Sequence, residues 1–258
     1  MTTRTQDGSA GDVAHGAIGS AHASFRRPDE RIARFVAEAL GDARKVLNVG
    51  AGAGSYESAA RAVTAVEPSE SMRARRPTGL SRAIDAAAED LPFADGAFDA
   101  AMTLFSVHQW SDVRTGLREM RRVTVGPVVI LTCDPALVRD FWLYRYAPEV
   151  LDIEARRYPP VEELAAALGG TWTVQTVPIP LDCTDGFDEA YYGRPEMLLD
   201  PAARQACSAW SFADDHVRER FDRTLRRDLE SGAWDEEFGH LRGRPTYEGS
   251  LVIVRATP

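Results

Sequence analysis

Lysine is almost absent from the sequence. Of 30 basic residues only Lys45 is a lysine, and the other 29 are arginines. Lys45 opens an apolar run and has no Gly-Lys-Ser or Gly-Lys-Thr context, which excludes a P-loop for phosphate binding. A Schiff-base enzyme would have to use Lys45 as its nucleophile, which argues against that class as well.

Cysteine is also scarce. The three cysteines, Cys133, Cys183 and Cys207, lie far apart and form no Cys-x-x-Cys pair. That spacing argues against a disulfide framework or a zinc site and is typical of a reducing compartment. We therefore expect a cytoplasmic protein without a metal cofactor.

Long apolar runs are missing too. No stretch of about 18 apolar residues occurs, so no transmembrane helix is expected. Residues 1–15 are polar and small, without the apolar centre of a secretory signal. The net charge of −9 argues against a nucleic-acid partner, because such proteins usually present a basic face. The expected partner is a small molecule, and the sequence does not indicate an oligomeric state.

The pattern along the 258 residues is an alternation of strand-like and helical segments. Such alternation predicts a parallel sheet with helices on both faces. The helices are expected over residues 28–40, 112–122 and after Pro159-Pro160. The strands are expected at 46–49, 63–66, 98–104, 127–132, 172–177 and 251–254.

The alternation stops once, over residues 180–247, which contain no strong strand and at least two helices. We interpret this stretch as a helical lid inserted before the final strand. The predicted organisation is a flexible segment at 1–24, an α/β core at 25–179, the lid with the substrate region at 180–247, and the last core strand at 248–258.

The first motif follows the first strand and reads Gly-Ala-Gly-Ala-Gly-Ser over residues 50–55. Glycine lets a backbone turn tightly and approach a ligand closely. In an open α/β sheet, the carboxyl end of the first strand is the usual nucleotide site. Glycines also serve ordinary loops and helix ends, so this motif alone leaves both interpretations open.

Glu67 is the second feature, and it ends the next strand 17 residues after Gly50. A carboxylate at that position can accept hydrogen bonds from both hydroxyls of a ribose. The alternative is a solvated carboxylate at the end of a strand.

Further motifs follow in order: Ala-Glu-Asp-Leu-Pro-Phe at 88–93, Phe-Asp at 98–99, an apolar strand, and Ser-Val-His-Gln-Trp at 106–110. With the glycine motif, they resemble the class I S-adenosylmethionine-dependent methyltransferases, and the small-molecule, methyltransferase type 11-like branch in particular. The resemblance covers roughly residues 46–132. It implies a doubly wound, mainly parallel seven-stranded sheet with the lid before the last strand. It also implies S-adenosylmethionine as cofactor, S-adenosylhomocysteine as product, and a role in secondary metabolism.

The resemblance assigns cofactor contacts residue by residue. Glu67 would bind the ribose, Ala88 and Glu89 would edge the adenine, and Phe105 with His108 would face the sulfonium and the acceptor. The complete set of cofactor-binding residues that it implies is Gly50, Ala51, Gly52, Ser55, Glu67, Pro68, Met72, Ala88, Glu89, Leu91 and Phe105.

Two departures from the family pattern stand out. Ala87 occupies the place where many relatives have an aspartate for the adenine amino group. The segment between Gly54 and Val63 has room for only about two helical turns, so the first crossover helix should be stunted. A nicotinamide dinucleotide site is the competing interpretation of the loop, but its fingerprint Gly-x-Gly-x-x-Gly is broken by Ser55.

Methyl transfer needs donor and acceptor held in line, without a metal. His108 is the candidate general base, because histidine titrates near neutral pH. His108 could instead cap the strand or bind substrate, and a carboxylate acceptor would need no base. Candidate substrate contacts are Trp110, Trp142, Tyr146, Tyr191, Tyr192 and Arg194, with packing between lid and sheet as the alternative. Arg194 could hold an acidic acceptor or lie on the surface, and the Arg73, Arg75, Arg76 cluster is expected to be a solvated helix end.

The sequence therefore predicts methyl transfer from S-adenosylmethionine to an oxygen or nitrogen atom of a small molecule. Two alternatives stay open. One is a protein that binds the cofactor structurally and catalyses a non-methylating reaction, and the other is a non-enzymatic partner protein with a degenerate site.

Overall fold

The computed structural model describes residues 25–258. The segment expected to be flexible, 1–24, lies outside the described residues. The helices are α1 (Glu30–Leu40), α2 (Glu70–Arg73), α3 (Val113–Arg122), α4 (Pro148–Arg157), α5 (Val161–Leu168), α6 (Pro201–Gln205), α7 (Asp215–Ser231) and α8 (Ala233–Phe238). The strands are β1 (Lys45–Val49), β2 (Ala62–Val66), β3 (Ala100–Leu104), β4 (Val128–Cys133), β5 (Thr171–Thr176), β6 (Ile179–Pro180), β7 (Thr246–Tyr247) and β8 (Leu251–Thr257).

Six strands form the central sheet in the order β2-β1-β3-β4-β8-β5. Strands β1 to β4 run parallel to one another, whereas β8 runs antiparallel between β4 and β5. The predicted doubly wound, mainly parallel sheet is confirmed, but the sheet has six strands instead of seven. At its edge Ile84 makes a single parallel bridge to Val66. Ile84 is the one large apolar residue between Arg82 and Ala88 and is 39% exposed, so this segment has no apolar face to bury as a strand.

Helices cover both faces of the sheet. On one face α1 packs against β3, β4 and β8. On the other face α3 packs against α5, and α5 packs against β8. Helix α1 shows how the sequence fixes such an element. Asp29 caps it by accepting from the Arg31 N–H at 2.9 Å, Ile32 and Val36 are buried, and Gly41 ends it at φ +60°.

The first crossover, between β1 and β2, contains no helix. The expected stunted helix is therefore wrong. Gly50, Gly52, Gly54 and Tyr56 all have positive φ values, between 51° and 93°. Such left-handed residues interrupt a right-handed helix. Only Glu57–Arg61 remain before β2, too few for a stable helix without its own cap.

The predicted lid appears as a helical insertion before the final strand. The short antiparallel pair of β6 and β7 brackets its helices. Its buried side chains, such as Trp210 and Phe221, belong to the same hydrophobic cluster as Val36 of α1 and Leu151 of α4. The lid is thus packed onto the α1 side of the sheet, and its limits as a separate unit stay a prediction.

Over residues 25–258 no helix combines the length and the apolar character needed to cross a membrane. The same part of the chain gathers no group of three His, Cys, Asp or Glu side chains suited to a metal ion. Each of the three cysteines is a buried free thiol.

Candidate active site

A cavity of about 940 Å³ opens at the carboxyl ends of β1, β2 and β3. Its walls are the glycine loop (residues 50–55), the ends of β2 and β3, the segment after β3, residues 26–28, and Asp185 of the lid. Small-molecule and cofactor sites commonly enclose about 300–1,000 Å³, so the cavity has room for a nucleoside and a compact second ligand. This is also the edge where open α/β sheets bind ligands.

Neighbouring side chains pack so close to the glycine loop that Gly50 and Gly54 have no room for a Cβ atom. A Cβ atom on Gly50 would lie 1.7 Å from the Ser106 Oγ, and one on Gly54 would lie 2.3 Å from Leu80 Cδ1. Both glycines also have positive φ, at 66° and 93°. Backbone therefore forms this part of the cavity wall, as a site that must approach a ligand closely requires.

Glu67 closes the bottom of the loop. Its side chain is buried, so it is not a solvated strand end. One carboxylate oxygen accepts from the Gly52 N–H and the other from the Ser69 N–H, each at 2.8 Å. A carboxylate can accept about four hydrogen bonds, so two positions remain for a ligand such as a ribose diol.

A buried ion pair behind the loop was not predicted from the sequence. Arg76 donates to Glu57 at 2.8 Å, with side-chain exposures of 4% and 1%. Asn48 donates to the same carboxylate at 2.9 Å, and Arg76 also reaches the Gly52 carbonyl at 3.4 Å. The expected solvated arginine cluster is therefore wrong for Arg76. No periodicity in the sequence separates Arg76 from its exposed neighbour Arg75.

The segments after β2 and β3 supply the rest of the expected cofactor wall. Ten of the eleven predicted cofactor residues line the cavity, and Leu91 does not. Leu91 packs in the core on the α3 side, and its N–H donates to Glu119. Glu89 accepts from the Ser111 hydroxyl and the Asp112 N–H, so its carboxylate also holds the start of α3.

Trp110 is the one predicted substrate residue on the cavity wall. Its indole N–H donates to Ser106 at 3.0 Å. Its ring packs so close to Gly116 of α3 that a Cβ atom on Gly116 would lie 2.7 Å from the ring. Ala87 lines the cavity with a methyl group only. The adenine amino contact that relatives draw from an aspartate therefore has no counterpart at this position.

The other predicted substrate residues lie away from the cavity, in the packing between lid and sheet. Trp142 packs edge-on against Trp234, and the Tyr146 hydroxyl donates to Asp228. Tyr191 is buried, and the Tyr192 hydroxyl donates to the Arg244 carbonyl at 2.7 Å. Arg194 donates to the carbonyls of Cys183 and Ala190, which leaves it inside the lid.

His108 is buried and does not line the cavity either. Its ring packs against Tyr158 at 4.5 Å between centroids, and its Nε2 lies 2.7 Å from the amide nitrogen of Gln109. The imidazole is thus held one layer behind the wall that Gln109 forms.

Three residues that the sequence did not single out meet on the cavity wall, where the lid contributes to it. Arg26 donates through Nε to Asp185 at 2.5 Å, and the Tyr56 hydroxyl donates to the other Asp185 oxygen at 2.7 Å. Burial, followed by the Asp185 charge, raises the pKa of Tyr56 well above its ordinary value. Burial alone would lower the pKa of Arg26, but the charge and hydrogen bond of Asp185 raise it. Both groups therefore keep their protons at neutral pH.

Comparison with known proteins identifies similar domains and structures. Residues 47–126 match the family model described as a methyltransferase domain. A solved structure from Anabaena variabilis, named as a methyltransferase from an antibiotic biosynthesis pathway, superposes with a TM-score of 0.84 at 27% identity. That match covers 91% of this chain and 100% of the other. Residues 47–126 therefore match a methyltransferase domain, and the described chain has the fold of the class I S-adenosylmethionine-dependent methyltransferases.

Two curated relatives match shorter stretches. The uncharacterized protein YafE of Escherichia coli is 43% identical over 60 residues, which is 22% of this chain and 29% of that protein. The malonyl-[acyl-carrier protein] O-methyltransferase of Erwinia pyrifoliae is 38% identical over 90 residues, which is 33% of this chain and 34% of that protein. The chain thus matches about a third of the length of these relatives.

The cofactor of this superfamily is S-adenosylmethionine, and the cavity residues fit it. Glu67 keeps two acceptor positions for the ribose hydroxyls, and the loop glycines leave room for the methionine part. Among the described residues, the buried side-chain oxygens of Asn48 and Gln109 on the cavity wall have no hydrogen-bond partner. A buried acceptor without a donor is costly, and the cofactor's ammonium group can supply donors.

Proposed function

We propose that this protein transfers the methyl group of S-adenosylmethionine to an oxygen or nitrogen atom of a small-molecule acceptor. The observation that carries the proposal is the composition of the 940 Å³ cavity. It combines a glycine loop and Glu67, suited to a nucleoside, with a second part of the wall formed by Arg26, Tyr56, Phe105 and Asp185. The lid contributes Asp185 to that part of the wall, which favours a compact acceptor over a protein or an RNA.

The reaction requires the bond between sulfur and methyl carbon to break as the acceptor atom forms its bond to the methyl group. The released product is S-adenosylhomocysteine. The protein holds donor and acceptor in line and excludes water, and orientation of this kind contributes about 7–11 kcal/mol to catalysis. No metal is needed for this displacement.

The proposed acceptor atom takes account of where the histidines lie relative to the cavity. None of the histidines among the described residues lines the cavity. We therefore propose an acceptor atom that is nucleophilic without His108 acting directly as a base, such as a carboxylate oxygen or a neutral amine nitrogen. The name of the Erwinia pyrifoliae O-methyltransferase supports an oxygen acceptor, and the Anabaena variabilis structure supports a role in secondary metabolism. We also propose that the protein works in the cytoplasm.

Calorimetric titration with S-adenosylhomocysteine tests the cofactor site, with NADH as a control ligand. We expect binding at micromolar strength, about −8 kcal/mol, for the wild type and clearly weaker binding for Glu67→Ala. A matched variant, Glu70→Ala, removes a nearby exposed carboxylate on α2 and should bind as the wild type does. Binding of NADH in place of S-adenosylhomocysteine would refute the proposal.

The transfer step is tested by measuring S-adenosylhomocysteine formation from S-adenosylmethionine with panels of small carboxylates, amines and alcohols. Turnover with a carboxylate or an amine supports the proposed acceptor class. Tight cofactor binding without turnover on any panel would favour a structural cofactor and a non-methylating reaction. Absence of cofactor binding would favour a degenerate partner protein.

A further inference from the structure

Two non-glycine residues among residues 25–258 have a left-handed backbone, Tyr56 at φ +63° and Phe105 at φ +52°. Both line the cavity, one in the crossover after β1 and the other directly after β3. Such conformations are unfavourable for residues with a side chain and persist where neighbouring contacts impose them. The contacts that impose them here point to a role for Asp185.

The side chains of both residues contact the ion pair between Arg26 and Asp185. The Tyr56 hydroxyl donates to one Asp185 oxygen at 2.7 Å, and the Arg26 Nε donates to the other at 2.5 Å. The Arg26 guanidinium lies over the Phe105 ring, 5.1 Å from its centroid. Asp185 is 3% exposed, so its charge is compensated by these two donors and little by water.

Backbone hydrogen bonds join the same region. We call residues 25–29 the strap and residues 183–187 the lid entrance. Arg26 and Asp185 form an antiparallel bridge, the Gly186 N–H donates to the Phe25 carbonyl at 2.8 Å, and the Thr184 N–H donates to the Asp29 side chain at 3.1 Å. The strap and the lid entrance are therefore joined by hydrogen bonds. The Tyr56 hydroxyl, which donates to Asp185, links them to the crossover beside the glycine loop.

We propose that Asp185 is a positioning residue that couples the lid entrance to the glycine loop through Tyr56, so that occupation of the cofactor site orders the lid. The inference rests on the proposed function. A cofactor that contacts the loop favours the left-handed Tyr56 conformation, which presents the hydroxyl to Asp185. By linkage the coupling is reciprocal, so an ordered lid entrance strengthens cofactor binding by the same factor.

Hydrogen exchange with and without S-adenosylhomocysteine tests this coupling in the full chain. In the wild type we expect the product to slow exchange in peptides covering the strap and the lid entrance by about fivefold or more. Tyr56→Phe removes one hydroxyl and should still bind the product, about fivefold more weakly. The slowing in both peptides should then be lost. Asp185→Asn should behave in the same way.

Asp222→Asn is the matched control, because it disrupts another Arg–Asp ion pair of the lid, with Arg204, that does not reach the cavity. It should keep the full product-induced slowing. If Asp185→Asn fails to fold, as circular dichroism would show, Tyr56→Phe carries the test alone.

Persistent slowing in Tyr56→Phe would overturn the coupling. Product binding to the wild type without slower exchange would overturn it too, while the proposed function would stand. Failure of the wild type to bind the product would overturn both the coupling and the proposed function.

Discussion

Removing the carboxylate of Glu57 should destabilise the protein far more than removing a surface carboxylate. Arg76 and Glu57 form an ion pair at 2.8 Å with side chains only 4% and 1% exposed, and the same carboxylate accepts from Asn48. Breaking a buried pair leaves an uncompensated charge and costs about 3–5 kcal/mol. We expect Glu57→Ala to lose about that much free energy of unfolding, because both Arg76 and the Asn48 amide lose the carboxylate to which they donate.

Urea denaturation at pH 7 measures this loss, in 0.1 M and in 1 M salt. Salt should change the loss little, since a buried pair is weakly screened. The control is Glu237→Ala, which breaks the exposed pair with Arg145 and should cost less than about 1 kcal/mol. The double variant Glu57→Leu with Arg76→Met should recover much of the stability, because apolar replacement of a whole buried pair is often neutral. A loss below about 1 kcal/mol for Glu57→Ala would refute the buried-pair reasoning.

Two further predictions concern the loop and the lid. Gly50→Ala should abolish binding of S-adenosylhomocysteine in calorimetry, because the new Cβ would lie 1.7 Å from the Ser106 Oγ at a φ of +66°. The control is Gly79→Ala, whose Cβ would meet nothing within 4 Å and which should bind the product normally. Burial raises the pKa of Glu189 to about 7, so the folded state binds a proton more tightly than the unfolded chain does. Its contribution to stability should be present below about pH 4.5 and be lost as the pH rises to about 7, by at most about 1.4 kcal/mol per pH unit. Urea denaturation at pH 5, 6 and 7 should show a smaller decline for Glu189→Gln, and an equal decline would contradict this assignment.

The parts of the site that the sequence predicts are those encoded by neighbouring residues. The glycine loop and Glu67 follow two adjacent parallel strands, and parallel strands bring their carboxyl ends to one edge. Helix α1 is likewise specified by neighbouring residues. Asp29 precedes it, an apolar residue recurs every three or four positions, and Gly41 follows it. The prediction of a short helix between β1 and β2 is wrong because it depends on segment length alone. Three glycines and Tyr56 in this crossover adopt left-handed conformations.

The residues that the sequence did not reveal act through distant partners. Asp185 lies 159 positions from Arg26 and 129 from Tyr56, so no local spacing marks the three as neighbours. Aromatic residues are ambiguous for a related reason. Trp142 and Tyr192 have the composition of a substrate wall, but the same side chains pack equally well as a core, and here they do so. Burial of this kind is decided by tertiary packing.

This division of the site has a consequence for acceptor choice. The cofactor half is built from the sheet edge, which a few short motifs specify. The other half is built from the strap, the crossover and the lid. Among residues 25–258, these three segments meet on the cavity wall at the Asp185 carboxylate with its two donors. In the proposed coupling, an acceptor fits beside that group, and its access depends on whether the lid entrance is ordered. Substitutions in the lid away from the cavity can therefore alter acceptor choice through Asp185 without touching either ligand, whereas those at the sheet edge should alter cofactor affinity first.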